Sequence, residues 1–303
     1  MTDSTSLESS TTATVTVCCV TFNQADTIRR AVDSILNQQT DFAVELLIHD
    51  DVSTDGTRKI VEEYANQHPR RVTALLPEQN QYSQGVNVMA KLRQLARGKY
   101  IAFCEGDDYW SDDTKLAKQV ACMEANPDVV MTGHKVIAVD SQGEQLRYYR
   151  SRNPFAGMPQ ERDFDAHALR TLERVIPTSC RVFRNIQIDL PLEATKTIAG
   201  DAFLQAMLAD HGSYRFLPDI KPSYYTVSGK GIWSQQSRDT DILQRINLLT
   251  QLRTYFDRVG HDSASKKLFQ KQTSLLMELL IRRTLQRVGL TPLLNWLKNR
   301  LPR

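Results

Sequence analysis

Two short acidic stretches hold the residue types best suited to chemistry. One runs His49-Asp50-Asp51-Val52-Ser53-Thr54-Asp55-Gly56-Thr57, the other Glu105-Gly106-Asp107-Asp108-Tyr109-Trp110. Adjacent carboxylates repel one another unless a cation or hydrogen-bond donors neutralise them, and a hard divalent ion that shares phosphate oxygens does so well. Asp107 and Asp108 are therefore the natural metal ligands, with capping of a helix near Asp112 as the alternative. In the first stretch, Asp50 and Asp51 can accept hydrogen bonds from a nucleobase or ribose, whereas Asp55 and Thr57 suit a turn and a helix N-cap.

The elements around these stretches fix where they must sit. From Thr14 the chain alternates β-rich runs (Val15 to Val20, Val44 to Ile48, Val72 to Leu76, Tyr100 to Cys104) with helical periodicity, as in Ile28, Ala31, Val32, Ile35 and Leu36. Strands separated by helices imply an α/β fold with a Rossmann-like, mostly parallel sheet flanked by helices, and ligands bind at the carboxyl ends of such strands. Each acidic stretch directly follows a strand. After Glu105 the alternation weakens: a helix from about Asp112 ends before Pro127, one or two strands fall in Val129 to Val139, and extended runs recur near Tyr214 to Leu217 and Ser223 to Val227. From Asp239 the pattern is all helix. The expected organisation is a disordered tail over 1–13, a catalytic domain over 14–235 with halves 14–140 and 141–235, and a helical C-terminal extension over 236–303.

Composition narrows the class. The chain has 303 residues, 41% hydrophobic and 24% charged, which excludes a disordered or collagenous chain. Its 38 basic and 35 acidic residues leave a charge of +3, too small to indicate nucleic-acid binding. That excess is C-terminal: Arg282, Arg283, Arg287, Lys298, Arg300 and Arg303 stand in a segment without an acid. Five cysteines without C-x-x-C spacing read as free thiols of a reducing compartment. No secretory signal or membrane-spanning run is visible, so a cytoplasmic location is expected. There is no G-x-x-x-x-G-K or G-x-G-x-x-G phosphate loop.

Taken in order, Val15-Thr16-Val17-Cys18-Cys19-Val20-Thr21-Phe22-Asn23, the Asp50 stretch, and Gly98 through Glu105-Gly106-Asp107-Asp108-Tyr109-Trp110 resemble the family 2 glycosyltransferases of the GT-A fold. The resemblance is strong over about Thr14 to Asp140 and weak over Thr195 to Ser234. It implies that Thr21, Asn23 and Asp50 line the nucleotide pocket, and that Asp107 and Asp108 match the D-x-D region holding ribose and Mn2+ or Mg2+. Glu105 stands where the first Asp of that motif often lies.

It also implies an inverting, metal-dependent glycosyltransferase using a nucleoside-diphosphate sugar, UDP or dTDP, and a glycan or lipid-linked glycan acceptor in surface polysaccharide or O-antigen synthesis. Such a reaction needs a base for the acceptor hydroxyl. The family supplies an acid that opens a downstream helix, and Gly200-Asp201-Ala202-Phe203-Leu204 fits; Glu193, Asp189 and Asp210 compete, and Asp201 could equally be a plain helix N-terminal carboxylate. Lys230 is the cation nearest the expected pyrophosphate segment, with a solvated surface position as its alternative. Trp110 and Trp233 could stack on a sugar or pack in the core. Competing classes are a nucleotidyltransferase, which normally opens with a Gly-rich basic loop, and a non-catalytic nucleotide-binding module.

The leucines of Leu275 to Val288 suit packing on the catalytic domain or a homodimer through the C-terminal helices. The basic segment Leu293 to Leu301 suits an anionic membrane surface, at the inner face of the plasma membrane beside a lipid-linked acceptor.

Overall fold

The computed structural model describes residues 14–146, 162–227 and 237–290. The expected tail over 1–13, Lys230, Trp233 and the segment Leu293 to Leu301 lie outside the described residues. Strands β1 (Val15–Thr21), β2 (Val44–Asp50), β3 (Val72–Leu75) and β4 (Tyr100–Phe103) run parallel in the order β3-β2-β1-β4. The central strand β1 is buried almost throughout, so it reads as an unbroken apolar run rather than an alternating one. Its side chains still alternate between faces. Cys18 packs with Leu47, Ile101 and Phe103 on one side, and Val17 and Cys19 pack with Leu46, Ile48 and Ala102 on the other. Helices α1 (Ile28–Leu36) and α2 (Thr57–Gln67) cover the Cys19 face through Val32, Ile35 and Val61, and α3 (Val88–Leu95) covers the Cys18 face through Leu92. The cysteines act here as small apolar residues, and all five are free thiols.

Beyond β4 the sheet continues with β8 (Val182–Arg184), β6 (Val129–Gly133) and β9 (Ser213–Phe216), giving seven strands in the order β3-β2-β1-β4-β8-β6-β9. The expected mostly parallel sheet is present, with one reversal: β8 is antiparallel to both neighbours. A second sheet of β5 (Tyr109–Trp110), β10 (Ser223–Thr226) and β7 (Val136–Val139) stands beside it in the order β5-β10-β7. The extended runs at Val129 to Val139 and Ser223 to Val227 supply two of its strands, but local sequence carries no signal for their pairing, which joins residues more than 80 positions apart.

Among the described residues five more α-helices follow: α4 (Lys115–Ala125) after β5, the short α5 (Ala166–Arg170) before β8, α6 (Gly200–Leu208) before β9, and α7 (Arg238–Val259) and α8 (Asp262–Arg287) as a hairpin. Ser237 caps α7 by accepting the Thr240 N–H, and Gly260, at φ 81, ends it in the left-handed conformation that a side chain would resist. Leu248, Leu249, Leu252 and Phe256 of α7 and Leu268 of α8 enter the same core as Phe103 and Phe203. The two helices thus share the catalytic sheet's core. Outward, Leu276, Met277, Leu280 and Ile281 of α8 and the following Val288 stay exposed, Leu280 by 60%. Two of the C-terminal basic residues pair with Asp239, the buried Arg282 at 3.0 Å and the exposed Arg283 at 3.5 Å from its carboxylate oxygens.

Candidate active site

The register of β1 against β2 pairs Thr21 with Asp50, so the two strands deliver those residues side by side at their carboxyl ends. Asp50 is fully buried; its Oδ2 accepts the Ser53 N–H at 3.1 Å, and Oδ1 makes no hydrogen bond among the described residues. A buried carboxylate oxygen with no donor is costly, which marks Oδ1 as an oxygen waiting for one. Asn23 folds back over the same turn: its Oδ1 accepts the Thr54 N–H at 2.8 Å, and its own N–H donates to Ser53 Oγ. Asn23, at φ 52, and Val52, at φ 68, both hold left-handed backbone here, a rare conformation for a β-branched residue. Asp51 points elsewhere. Both of its oxygens accept main-chain amides, of Gln81 at 2.7 Å and Tyr82 at 3.0 Å, so it anchors the loop after β3 rather than offering a free acceptor.

The second acidic stretch follows β4 and is threaded tightly against β1. A Cβ on Gly106 would lie 2.5 Å from Gln24 Oε1 and 2.6 Å from Thr21 Oγ1, so only glycine permits this approach. Glu105, Asp107 and Asp108 then fall at one corner. Burial, followed by the charges of Asp107 and Asp201, pushes the Glu105 carboxyl up to about 7, and burial pushes Asp107 up to about 6. Burial and the charges of Asp107 and Glu105 hold Asp108 well above the usual carboxylate range. Asp108 Oδ1 accepts the Thr226 N–H at 3.0 Å, while Oδ2 is buried and makes no hydrogen bond among the described residues.

Carboxylates raised by burial, and for Glu105 and Asp108 also by neighbouring charge, are what a cation would relieve. Among the described residues no three Asp, Glu, His or Cys side chains gather closely enough to hold an ion alone. The residues present fit a hard divalent ion whose remaining ligands are phosphate oxygens, with Asp107 and the free oxygen of Asp108 as the protein's share.

Asp201 opens α6, and its carboxylate lies close enough to Glu105 to raise it. It borders a small cavity with Asn87, Arg93, Phe103 and Leu190. Its Oδ2 accepts a hydrogen bond from Arg181 Nη2 at 3.1 Å. Asn87, which also caps α3, abuts Gly200 immediately before it.

Thr21, Asn23, Asp50, Asp107, Asp108 and Asp201 are thus gathered along one edge of the sheet. Trp110 is a correction. It is 4% exposed, its indole N–H donates to the Ser179 carbonyl at 2.8 Å, and Lys115 Nζ covers its ring at 4.0 Å, so it packs in the core instead of offering a face to a sugar. Sequence reasoning missed Arg181, Gln24 and Thr226. Arg181 had a readable signal: it is a charge inside the apolar run Cys180 to Phe183, and a buried cation needs a partner. Gln24 and Thr226 act through their placement alone.

Comparison with known proteins identifies the family and the fold. The family model for glycosyl transferase family 2 matches residues 16–185, more than half of the chain. The Mycobacterium tuberculosis protein Rv1520 is 31% identical over 230 residues, which cover 74% of this chain and 62% of that one; the chain therefore spans less than two thirds of that relative's length. The Escherichia coli enzyme WfaP, a UDP-Glc:alpha-D-GlcNAc-diphosphoundecaprenol beta-1,3-glucosyltransferase, is 34% identical over 111 residues, 36% of this chain and 41% of WfaP. Among solved structures, the mannosyltransferase PcManGT from Pyrobaculum calidifontis, in complex with GDP-Man and Mn2+, superposes with a TM-score of 0.54 at 19% identity, covering 95% of this chain and 79% of that one. At that identity the likeness is one of fold.

Proposed function

Because the chain belongs to glycosyl transferase family 2, we propose that it is an inverting, metal-dependent glycosyltransferase that moves a sugar from a nucleoside-diphosphate donor to a hydroxyl acceptor. The observation that carries this reading is the convergence of Glu105, Asp107, Asp108 and Asp201 at the carboxyl end of β4, where their charges act on one another. A corner of that kind is unfavourable for folding and suits a site that handles a diphosphate with its cation.

In the proposed reaction Asp50 Oδ1 accepts a hydrogen bond from the base or ribose, and Thr21 and Asn23 shape the turn beneath it. Asp107 and Asp108 would hold Mn2+ or Mg2+; when bound, the ion supplies charge neutralisation to the diphosphate as it leaves. Asp201 takes the proton of the acceptor hydroxyl. The hydroxyl oxygen bonds to the anomeric carbon from the face opposite the diphosphate, the carbon–oxygen bond to phosphate breaks, and its electron pair stays with the diphosphate. Attack from the opposite face inverts the centre.

WfaP, which moves glucose from UDP-Glc to a GlcNAc-diphosphoundecaprenol acceptor, supports a UDP sugar as donor and a lipid-linked glycan as acceptor; a dTDP sugar is the alternative donor, and bacterial surface polysaccharide synthesis is the setting such an acceptor fits. PcManGT, solved with Mn2+, supports the divalent ion. A lipid-linked acceptor lies at a membrane. No helix among the described residues is long and apolar enough to cross one, and the exposed apolar residues of α8 support peripheral contact with an anionic surface. A hydrolysis screen across UDP-, dTDP- and GDP-sugars with and without Mn2+ tests the donor assignment. Turnover of one nucleotide class only with metal is expected, and no metal-dependent hydrolysis of any donor would contradict it.

A further inference from the structure

Among the described residues the largest fully buried side chain belongs to Arg181, which is 1% exposed. It stands immediately before β8, the one reversed strand in the sheet, and its guanidinium lies over the Phe103 ring at 5.4 Å from the centroid. A buried guanidinium is expensive unless its charge is matched, and only a well-placed carboxylate offsets the lost hydration. Asp201 supplies that match. Arg181 Nη2 donates to Asp201 Oδ2 at 3.1 Å, and Nη1 donates to the Asp201 main-chain carbonyl at 3.4 Å. The Asp201 side chain remains 31% exposed, so the pair has one buried end and one open end.

We propose that Arg181 is the positioning residue for Asp201, fixing which carboxylate oxygen faces the acceptor. This rests on the reading of Asp201 as the base. With Oδ2 held from behind by a cation that cannot itself reach solvent, Oδ1 is the oxygen left to take the acceptor proton. The double contact, one to the side chain and one to the main chain of the same residue, restrains both the rotamer and the start of α6. Phe103, against which the guanidinium lies, is itself held edge to face by Phe183 at 5.2 Å. Glu105 also feels the Arg181 charge, so the arginine stands between the proposed base and the acidic corner. A general base contributes only when it lies within hydrogen-bond reach of its proton, and loss of that alignment costs on the order of 100-fold in rate.

The test compares Arg181→Met, Arg181→Lys, Asp201→Asn and the double variant Arg181→Met/Asp201→Asn in transfer assays with the preferred donor. Donor affinity and thermal melting are measured in parallel. Arg181→Met is expected to lower kcat for transfer about 100-fold while donor affinity changes less than about threefold, and Arg181→Lys to recover a large part of that loss. The double variant is expected to be no slower than Asp201→Asn alone, because both changes remove one alignment. Wild-type kcat in Arg181→Met beside an inactive Asp201→Asn overturns this proposal and leaves the base reading intact. Multiplying losses in the double variant, or unfolding of both Arg181→Met and Arg181→Lys, assigns the arginine to packing and also overturns it. Full transfer by Asp201→Asn removes the base reading itself.

Discussion

Asp108 Oδ1 accepts the main-chain N–H of Thr226 at 3.0 Å across 118 residues of chain, which ties the acidic corner after β4 to the central strand of the second sheet. One carboxylate therefore pins β10 with one oxygen and presents the other, buried and unpaired among the described residues, to the corner. Asp107 instead takes a side-chain hydrogen bond from Gln24, an amide that can turn to water when the carboxylate is removed. Asp107→Ala is expected to abolish metal-dependent turnover with an unchanged melting temperature. Asp108→Ala is expected to abolish turnover and to lose about 1–3 kcal/mol of stability, since it leaves the Thr226 N–H unpaired. Equal melting temperatures for the two variants would show that the Thr226 tie contributes nothing.

Val52 sits at φ 68 between the two ends of the nucleotide-side turn. A side chain in left-handed backbone costs roughly 1–2 kcal/mol, and glycine escapes that cost while losing some of the gain to chain entropy. Val52→Gly is expected to raise stability by up to about 1 kcal/mol in urea unfolding. A loss of stability would mean that Val52 contributes more through packing than it costs in strain.

Lys115 is fully buried against Trp110, its Nζ has no hydrogen-bond partner among the described residues, and burial lowers its pKa to about 7. The unfolded chain keeps the ordinary lysine value near 10.5. Between these values the unfolded state binds more protons, so this residue makes stability rise with pH from about 7 to 10.5 and fall as the amine is charged in the fold. Lys115→Met removes that slope. Its stability relative to the parent is expected to be highest at pH 6 and to decline toward pH 10, and a pH-independent difference would contradict the assignment.

Leu280 and Ile281 of α8 and the following Val288 are exposed, and Arg287, the last residue of α8, lies outside the pairing with Asp239. Replacing Leu280 and Ile281 by Glu is expected to reduce co-sedimentation with phosphatidylglycerol vesicles at least tenfold and to leave donor hydrolysis unchanged. Unaltered vesicle binding would place the membrane contact elsewhere.

The β1-to-β4 half was legible because its parallel strands are short and apolar and are separated by helices whose buried faces repeat with helical period. Asp50 and the acidic corner were legible for a related reason: Asp50 ends β2 and Glu105 to Asp108 lie just past β4, where this topology opens to ligands. What the sequence hid depends on distant pairing. Trp110 looked like a sugar platform until Ser179 and Lys115 closed around it, and Asp51 looked like a second base contact until the Gln81 and Tyr82 amides claimed both its oxygens. The reversal of β8, which brings Arg181 to Asp201, leaves only a charge in an apolar run as its trace.

The central claim, that the Glu105-to-Asp108 corner binds a nucleoside diphosphate through a divalent ion, is tested most directly by calorimetric titration of UDP, dTDP and GDP into the parent and into Asp107→Asn, each with and without Mn2+. The account predicts that Mn2+ strengthens binding of one diphosphate at least tenfold in the parent and that Asp107→Asn loses this gain. Equal affinity with and without Mn2+, or full metal-dependent enhancement in Asp107→Asn, would contradict it.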